Sequence, residues 1–167
     1  MLREINLDEI SDGRLYSSND MAKTDCKGCD GCSACCHGMG NSIVLDPLDV
    51  YRLSINLSKS VNELLTGPLE LNVVDGIILP NLKMDRAEEA CSFLDTNGRC
   101  TVHAFRPGIC RMFPLGRFYE NRSFQYFLQI HECPKTDRSK VKIKKIELTI
   151  NPNFQKFNFE IYNSKLC

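Results

Sequence analysis

Apolar positions in this chain come in short runs broken by turn residues, and each run carries its own local signal. Asp46-Pro47 precedes Leu48, Val50, Tyr51, Leu53 and Ile55. An aspartate can accept from the free N–H groups of a helix start, and proline's fixed φ suits the first helical position. This stretch therefore predicts a helix with a mixed apolar face. Ser60 and Glu63 stand at capping-box spacing and predict a second, short helix through Leu65, ended by Gly67-Pro68. Apolar runs at 71–74 and 77–79 flank Asp75-Gly76, residues that accept positive φ, and predict a hairpin. Residues 91–94 and 100–102, around Asp95-Thr96-Asn97-Gly98, predict another. The aromatic-rich runs 116–119 and 123–128, around Glu120-Asn121-Arg122, predict a third. In 141–150 and 154–162 the apolar residues alternate (Ile146, Leu148, Ile150; Phe157, Phe159, Ile161), which predicts strands. Ser17-Ser18-Asn19-Asp20 breaks any period and makes 1–25 read as a polar lead-in. The expected fold class is α+β: a small single domain with two early helices, several β-hairpins and Cys-rich metal-binding loops.

Composition narrows the function. The chain has 167 residues, within the usual size of one domain, and no internal repeat. Its 21 Lys and Arg balance 21 Asp and Glu, which argues against a dedicated nucleic-acid binder. No run approaches the roughly 18 apolar residues of a membrane span. The start, MLREINLDEI, lacks the basic-then-apolar pattern of a signal peptide. A cytoplasmic location is expected, where thiols stay reduced. Ten cysteines in such a compartment need another reason, and metal is the leading one. Beneath the zero total, 135–145 holds six basic residues and one acid. Lysines on a strand edge, which block unwanted pairing, account for this; an acidic or nucleic-acid partner is the other reading.

Cys26, Cys29, Cys32, Cys35 and Cys36 lie within eleven residues. A C-x2-C step lets two sulfurs converge on one ion, and thiolates are soft ligands that select zinc, Cu(I) or iron–sulfur clusters. Two frames fit. Cys26, Cys29, Cys32 and Cys36 have the bacterial ferredoxin spacing, with His37 where that run has proline. Cys29, Cys32, Cys35 and Cys36 form C-x2-C-x2-C-C, in which the adjacent pair need not serve the same metal atom. Cys91, Cys100, Cys110 and Cys133 stand singly at turns or element ends, where a side chain can turn inward to a shared site. Dispersed single ligands closing on one compact run favour an iron–sulfur cluster, 4Fe-4S before other forms, with zinc as the alternative. Arg106 and Arg111 bracket Cys110 and could offset anionic sulfur, as cofactor-binding cations; in the other reading Arg106 caps local carbonyls and Arg111 is a surface cation. His37, His103 and His131 each lie near a cysteine and read as non-ligands against so many thiols.

The chain resembles the bacterial cysteine-cluster proteins often called YkgJ-like, whose CxxCxxCC domain is described as zinc- or iron-chelating. The matching stretches are Cys29-Asp-Gly-Cys32-Ser-Ala-Cys35-Cys36, Leu45-Asp46-Pro47-Leu48-Asp49-Val50, Cys91-Ser-Phe-Leu94, the run from Gly98 to Pro114, and Cys133-Pro134. The resemblance implies eight metal ligands: Cys29, Cys32, Cys35, Cys36, Cys91, Cys100, Cys110 and Cys133. Cys26 and Cys167 are then extras, and His103 stands where the family usually has tyrosine. It also implies an iron–sulfur oxidoreductase type of role. A redox protein partner is expected with such a role, and the lack of an apolar span predicts no membrane. No serine-hydrolase elbow, phosphate loop, paired-carboxylate pattern or S-adenosylmethionine motif nominates a catalytic set. The expected organisation is an N-terminal extension at 1–25, a cysteine-cluster metal-binding domain at 26–135, and a C-terminal segment at 136–167 packed on that domain.

Overall fold

In a computed structural model of the chain, the structure describes residues 6–25, 32–74, 76–85, 87, 89–120 and 122–150. In order these form α1 (Leu7–Ile10), β1 (Ser11–Tyr16), β2 (Met21–Asp25), α2 (Pro47–Leu57), α3 (Val61–Leu65), β3 (Leu69–Val74), β4 (Ile77–Leu82), α4 (Gly108–Met112), β5 (Leu115–Glu120), β6 (Ser123–Gln129), β7 (Ser139–Lys142) and α5 (Ile143–Ile150). Short 3-10 turns occur at Ala34–Cys36 and His103–Phe105. The class is α+β.

The locally encoded elements are as expected. Asp46 caps α2, with Pro47 in the first turn. A capping box closes there, because the Asp46 carboxylate accepts from the Asp49 N–H and Asp49 accepts from the Asp46 N–H. Ser60 and Glu63 make the same reciprocal pair at α3. The hairpin β3–β4 runs in register from Leu69↔Leu82 to Val74↔Ile77. The hairpin β5–β6 runs from Leu115↔Leu128 to Glu120↔Ser123.

Three expectations are corrected. Residues 7–25 are not a polar lead-in. β1 pairs antiparallel with β6 to complete the sheet β1-β6-β5, β2 pairs with β7, and Tyr16 and Ala22 are buried. The polar run 17–20 is the turn between β1 and β2, where the Asp20 carboxylate accepts from the Ser17 N–H and hydroxyl. The 91–102 stretch is not a strand hairpin. It is held by single bridges, Met84↔Cys91 and Leu94↔Cys100, around a turn in which the Asp95 carboxylate accepts from the N–H groups of Asn97 and Arg99. Residues 143–150 are helix, not strand. Ile143, Glu147 and Ile150 are buried at helical spacing while Leu148 is exposed. Short alternating apolar runs fit either period, and the tertiary partners choose. The other expected tail strand, 154–162, lies outside the described residues.

Among the described residues two apolar cores result. One lies beneath α2, α3 and the β3–β4 hairpin, with Leu53, Leu64 and Leu69 fully enclosed and Leu82 buried beside them. The other joins Tyr16, Leu115, Tyr126 and Leu128 to Ile143 and Ile150. The helix α4 spans both: Cys110 packs against the first core, and Met112 belongs to the second.

Candidate metal centre

The cysteine segment is fastened to the body of the protein by its backbone. The Cys91 N–H donates to the Cys36 carbonyl at 2.8 Å, and the Gly38 N–H donates to the Glu89 carbonyl at 2.9 Å. These bonds form the antiparallel bridge His37↔Ala90. The far side of 90–92 is fixed to the end of the β3–β4 hairpin, where the Asp85 N–H donates to the Ala90 carbonyl at 2.7 Å and Ser92 Oγ to the Lys83 carbonyl at 2.6 Å. The Asp95 turn then returns the chain, so that Cys100 sits opposite Leu94.

Cys110 is presented by α4, and α4 is tied from two sides. Its first residue, Gly108, donates its N–H to Asp49 Oδ1 at 2.8 Å, so one buried carboxylate serves the starts of both α2 and α4. A Cβ at Gly108 would stand 2.9 Å from Ile150 Cγ2, so only glycine admits this approach of α5. Arg111 then clamps the turn. Its Nε donates to the Arg106 carbonyl at 2.7 Å, Nη1 to Thr149 at 2.7 Å and Nη2 to Ala104 at 3.3 Å. Arg52 Nη1 donates to the Ile150 carbonyl at 2.6 Å. Two guanidinium groups thus satisfy carbonyls at the C-terminal end of α5, where helix carbonyls lack intrahelical partners.

These restraints bring six thiols to the wall of one cavity of about 620 Å³: Cys32, Cys35, Cys36, Cys91, Cys100 and Cys110. Met39, Met84, Phe93 and Phe113 complete much of its apolar lining, and Arg99, His103 and Arg106 supply polar groups. A smaller cavity of about 320 Å³ shares Cys35, His103, Arg106, Cys110 and Phe113 with it. Cys133 is buried but is not among the residues lining either cavity. Cys26, Cys29 and Cys167 lie outside the described residues. Among the described residues, no three His, Cys, Asp or Glu side chains are gathered as a group that could hold a metal ion. The donor chemistry nonetheless suits a thiophilic metal, since six sulfurs face one space.

The electrostatics of that wall are uneven. The Cys36 thiol donates to Cys35, which holds the Cys35 thiol below its usual range, and the nearby Arg106 guanidinium adds to this. Cys36 moves up for the same reason, since it supplies the shared proton. Burial raises Cys91 and Cys100, and it pushes Cys110 up to about 12, with the neighbouring thiols Cys91 and Cys35 adding to the rise. Arg106 Nη1 donates to His103 Nε2 at 3.1 Å. That bond requires an unprotonated acceptor nitrogen. Burial, and then repulsion by Arg106, accordingly lowers the His103 pKa. His37 Nδ1 lies 3.0 Å from the Ser33 carbonyl, and His131 is exposed.

Sequence reasoning missed Asp49 as a link between α2 and α4. Its place in the capping box was legible, but its second acceptor role depends on Gly108, 59 residues away. The thioethers Met39 and Met84 were also missed, for no local pattern marks a cavity wall. No curated protein and no solved structure matches the chain. Residues 28–134 match the CxxCxxCC family model, described as "putative zinc- or iron-chelating domain". With most of its length matched and six of its cysteines around one cavity, this chain belongs to the CxxCxxCC family.

Proposed function

We propose that the chain carries an iron–sulfur centre with a redox or electron-transfer role. Its ligands would be drawn from Cys29, Cys32, Cys35, Cys36, Cys91, Cys100, Cys110 and Cys133, of which six line the cavity, while Cys133 is buried outside that lining and Cys29 lies outside the described residues. The observation that supports this most is the single cavity lined by six cysteines from three separate stretches of chain. One shared space favours one polynuclear centre over two separate closed zinc sites, each of which would need its own four ligands. Such a centre, when bound, supplies one-electron chemistry. The protein's part is to bind the sulfurs in place, to limit water with Phe93 and Phe113, and to offset anionic charge. Arg106 lies at the cavity and takes that last role directly. Arg111 serves it through the carbonyl bond that holds Arg106 in place. A reducing compartment and a redox protein as partner follow from this reading. Among the described residues, no helix is long and apolar enough to cross a membrane.

Anaerobic purification with metal analysis and electron paramagnetic resonance tests the proposal. Brown protein with iron and acid-labile sulfide, bleached by dithionite, is the expected result. Colourless protein with stoichiometric zinc would replace it with a zinc-stabilised binding module.

A further inference from the structure

The smaller cavity has a composition of its own. Arg106, Arg111 and Lys145 line it together with one carboxylate, Asp25. The Asp25 carboxylate already accepts from Ser139 Oγ at 3.0 Å. Among the described residues, the hydrogen bonds of both arginines go to neutral acceptors: Arg106 donates to His103, and Arg111 to main-chain carbonyls. Among the described residues neither guanidinium is hydrogen-bonded to a carboxylate, although the Asp49 carboxylate acts on Arg111, and both charges line a concavity whose walls concentrate them. Phe113, Val141 and Ile146 provide an apolar side. A volume of about 320 Å³ falls at the small end of ligand pockets.

We infer that this second cavity is a binding site for a small organic oxyanion, its carboxylate or phosphate head on Arg106, Arg111 and Lys145 and its apolar body against Phe113, Val141 and Ile146. The site is separate from the metal reading in composition but not in position. Cys35 and Cys110 belong to both cavity walls, and Arg106 faces both. An anion held there would draw on the same guanidinium that faces the thiols. Occupancy of either site would then alter the affinity of the other, by an equal factor in each direction.

The test is isothermal titration calorimetry on the full chain as purified with its metal, using pentanoate and monobutyl phosphate at constant ionic strength. These probes share an apolar body and differ in the head. Saturable binding of one molecule per chain is expected, and the tighter probe identifies the head group. Lys145 is exposed, so Lys145→Glu should leave metal per chain unchanged and weaken binding about tenfold or more. Lys145→Gln, milder, should weaken it less and serves as the reference should the reversal disturb folding. Heat that does not saturate with either probe, or equal affinity in wild type and Lys145→Gln, would overturn the inference. Metal content is measured on the same samples, so absence of metal would count against the iron–sulfur proposal alone.

Discussion

The main-chain N–H of Cys91 donates to the carbonyl of Cys36 at 2.8 Å. Two cysteines 55 positions apart in the chain are thus adjacent before any metal is considered, and the bond belongs to the backbone. Serine at position 91 keeps the N–H and removes the sulfur. Cys91→Ser should therefore lower metal per chain as Cys35→Ser does, with the bridge intact. Cys26→Ser and Cys167→Ser should keep full metal. Elemental analysis of the purified variants reads this directly, and full metal in Cys91→Ser would remove Cys91 from the ligand set.

Gly108 is the point where α4, α5 and Asp49 meet. A methyl group there lies too close to Ile150, which is β-branched and sits where Arg52 and Arg111 grip the end of α5. Gly108→Ala should cost about 1–3 kcal/mol in a denaturant titration. It should also reduce metal affinity, because Cys110 lies two residues along the displaced helix. An unchanged midpoint would show that α5 moves aside freely.

Asp49 sets a pH dependence. Burial, with the nearby Asp46 carboxylate adding to it, raises the Asp49 pKa from 3.8 to about 6. The folded state thus holds this proton more tightly than the unfolded chain. The resulting stabilisation is fully present below about pH 4 and is lost as pH rises to about 6, by an amount on the order of 3 kcal/mol. Asp49→Asn cannot titrate. The stability difference between wild type and variant, in which the metal's own pH dependence cancels, should slope across that window in urea titrations. A flat difference would mean that Asp49 is ionised throughout.

Glu147 is buried, and its Oε1 accepts from Tyr126 Oη at 2.7 Å and from Ser18 Oγ at 2.6 Å. Tyr126→Phe keeps the ring and removes one donor from a buried carboxylate. The expected loss is about 1–3 kcal/mol, seen as a lower melting temperature. Ser18→Ala should do the same on a smaller scale, since the edge at Ser18 is less enclosed. No loss in Tyr126→Phe would place a further donor on Glu147.

Elements stabilised within a few residues were legible in the sequence. Asp46 and Asp49, then Ser60 and Glu63, close their capping boxes three residues apart, and the apolar runs on either side of the Asp-Gly dipeptide pair as the hairpin the sequence predicts. The crowding of cysteines between 26 and 36 was chemistry visible in order and spacing, and the CxxCxxCC match agrees with it. The polar stretch 17–20 misled because a turn between paired strands and a lead-in have the same composition.

What remained was decided by partners far along the chain. Residues 143–150 could bury an alternating face as a strand. They are helical because Ile143, Glu147 and Ile150 meet the second core and the donors of Ser18 and Tyr126. Arg111, legible only as a cation beside Cys110, became a clamp on α5 once Thr149 arrived within 2.7 Å. The sequence by itself determined the caps, the turns and the thiol-rich chemistry, since each depends on hydrogen bonds or ligand types within a short span. Only the tertiary structure decided which cysteines share a cavity and that a cationic hollow lies behind them. Both depend on surfaces that come together when separate segments bury their apolar faces.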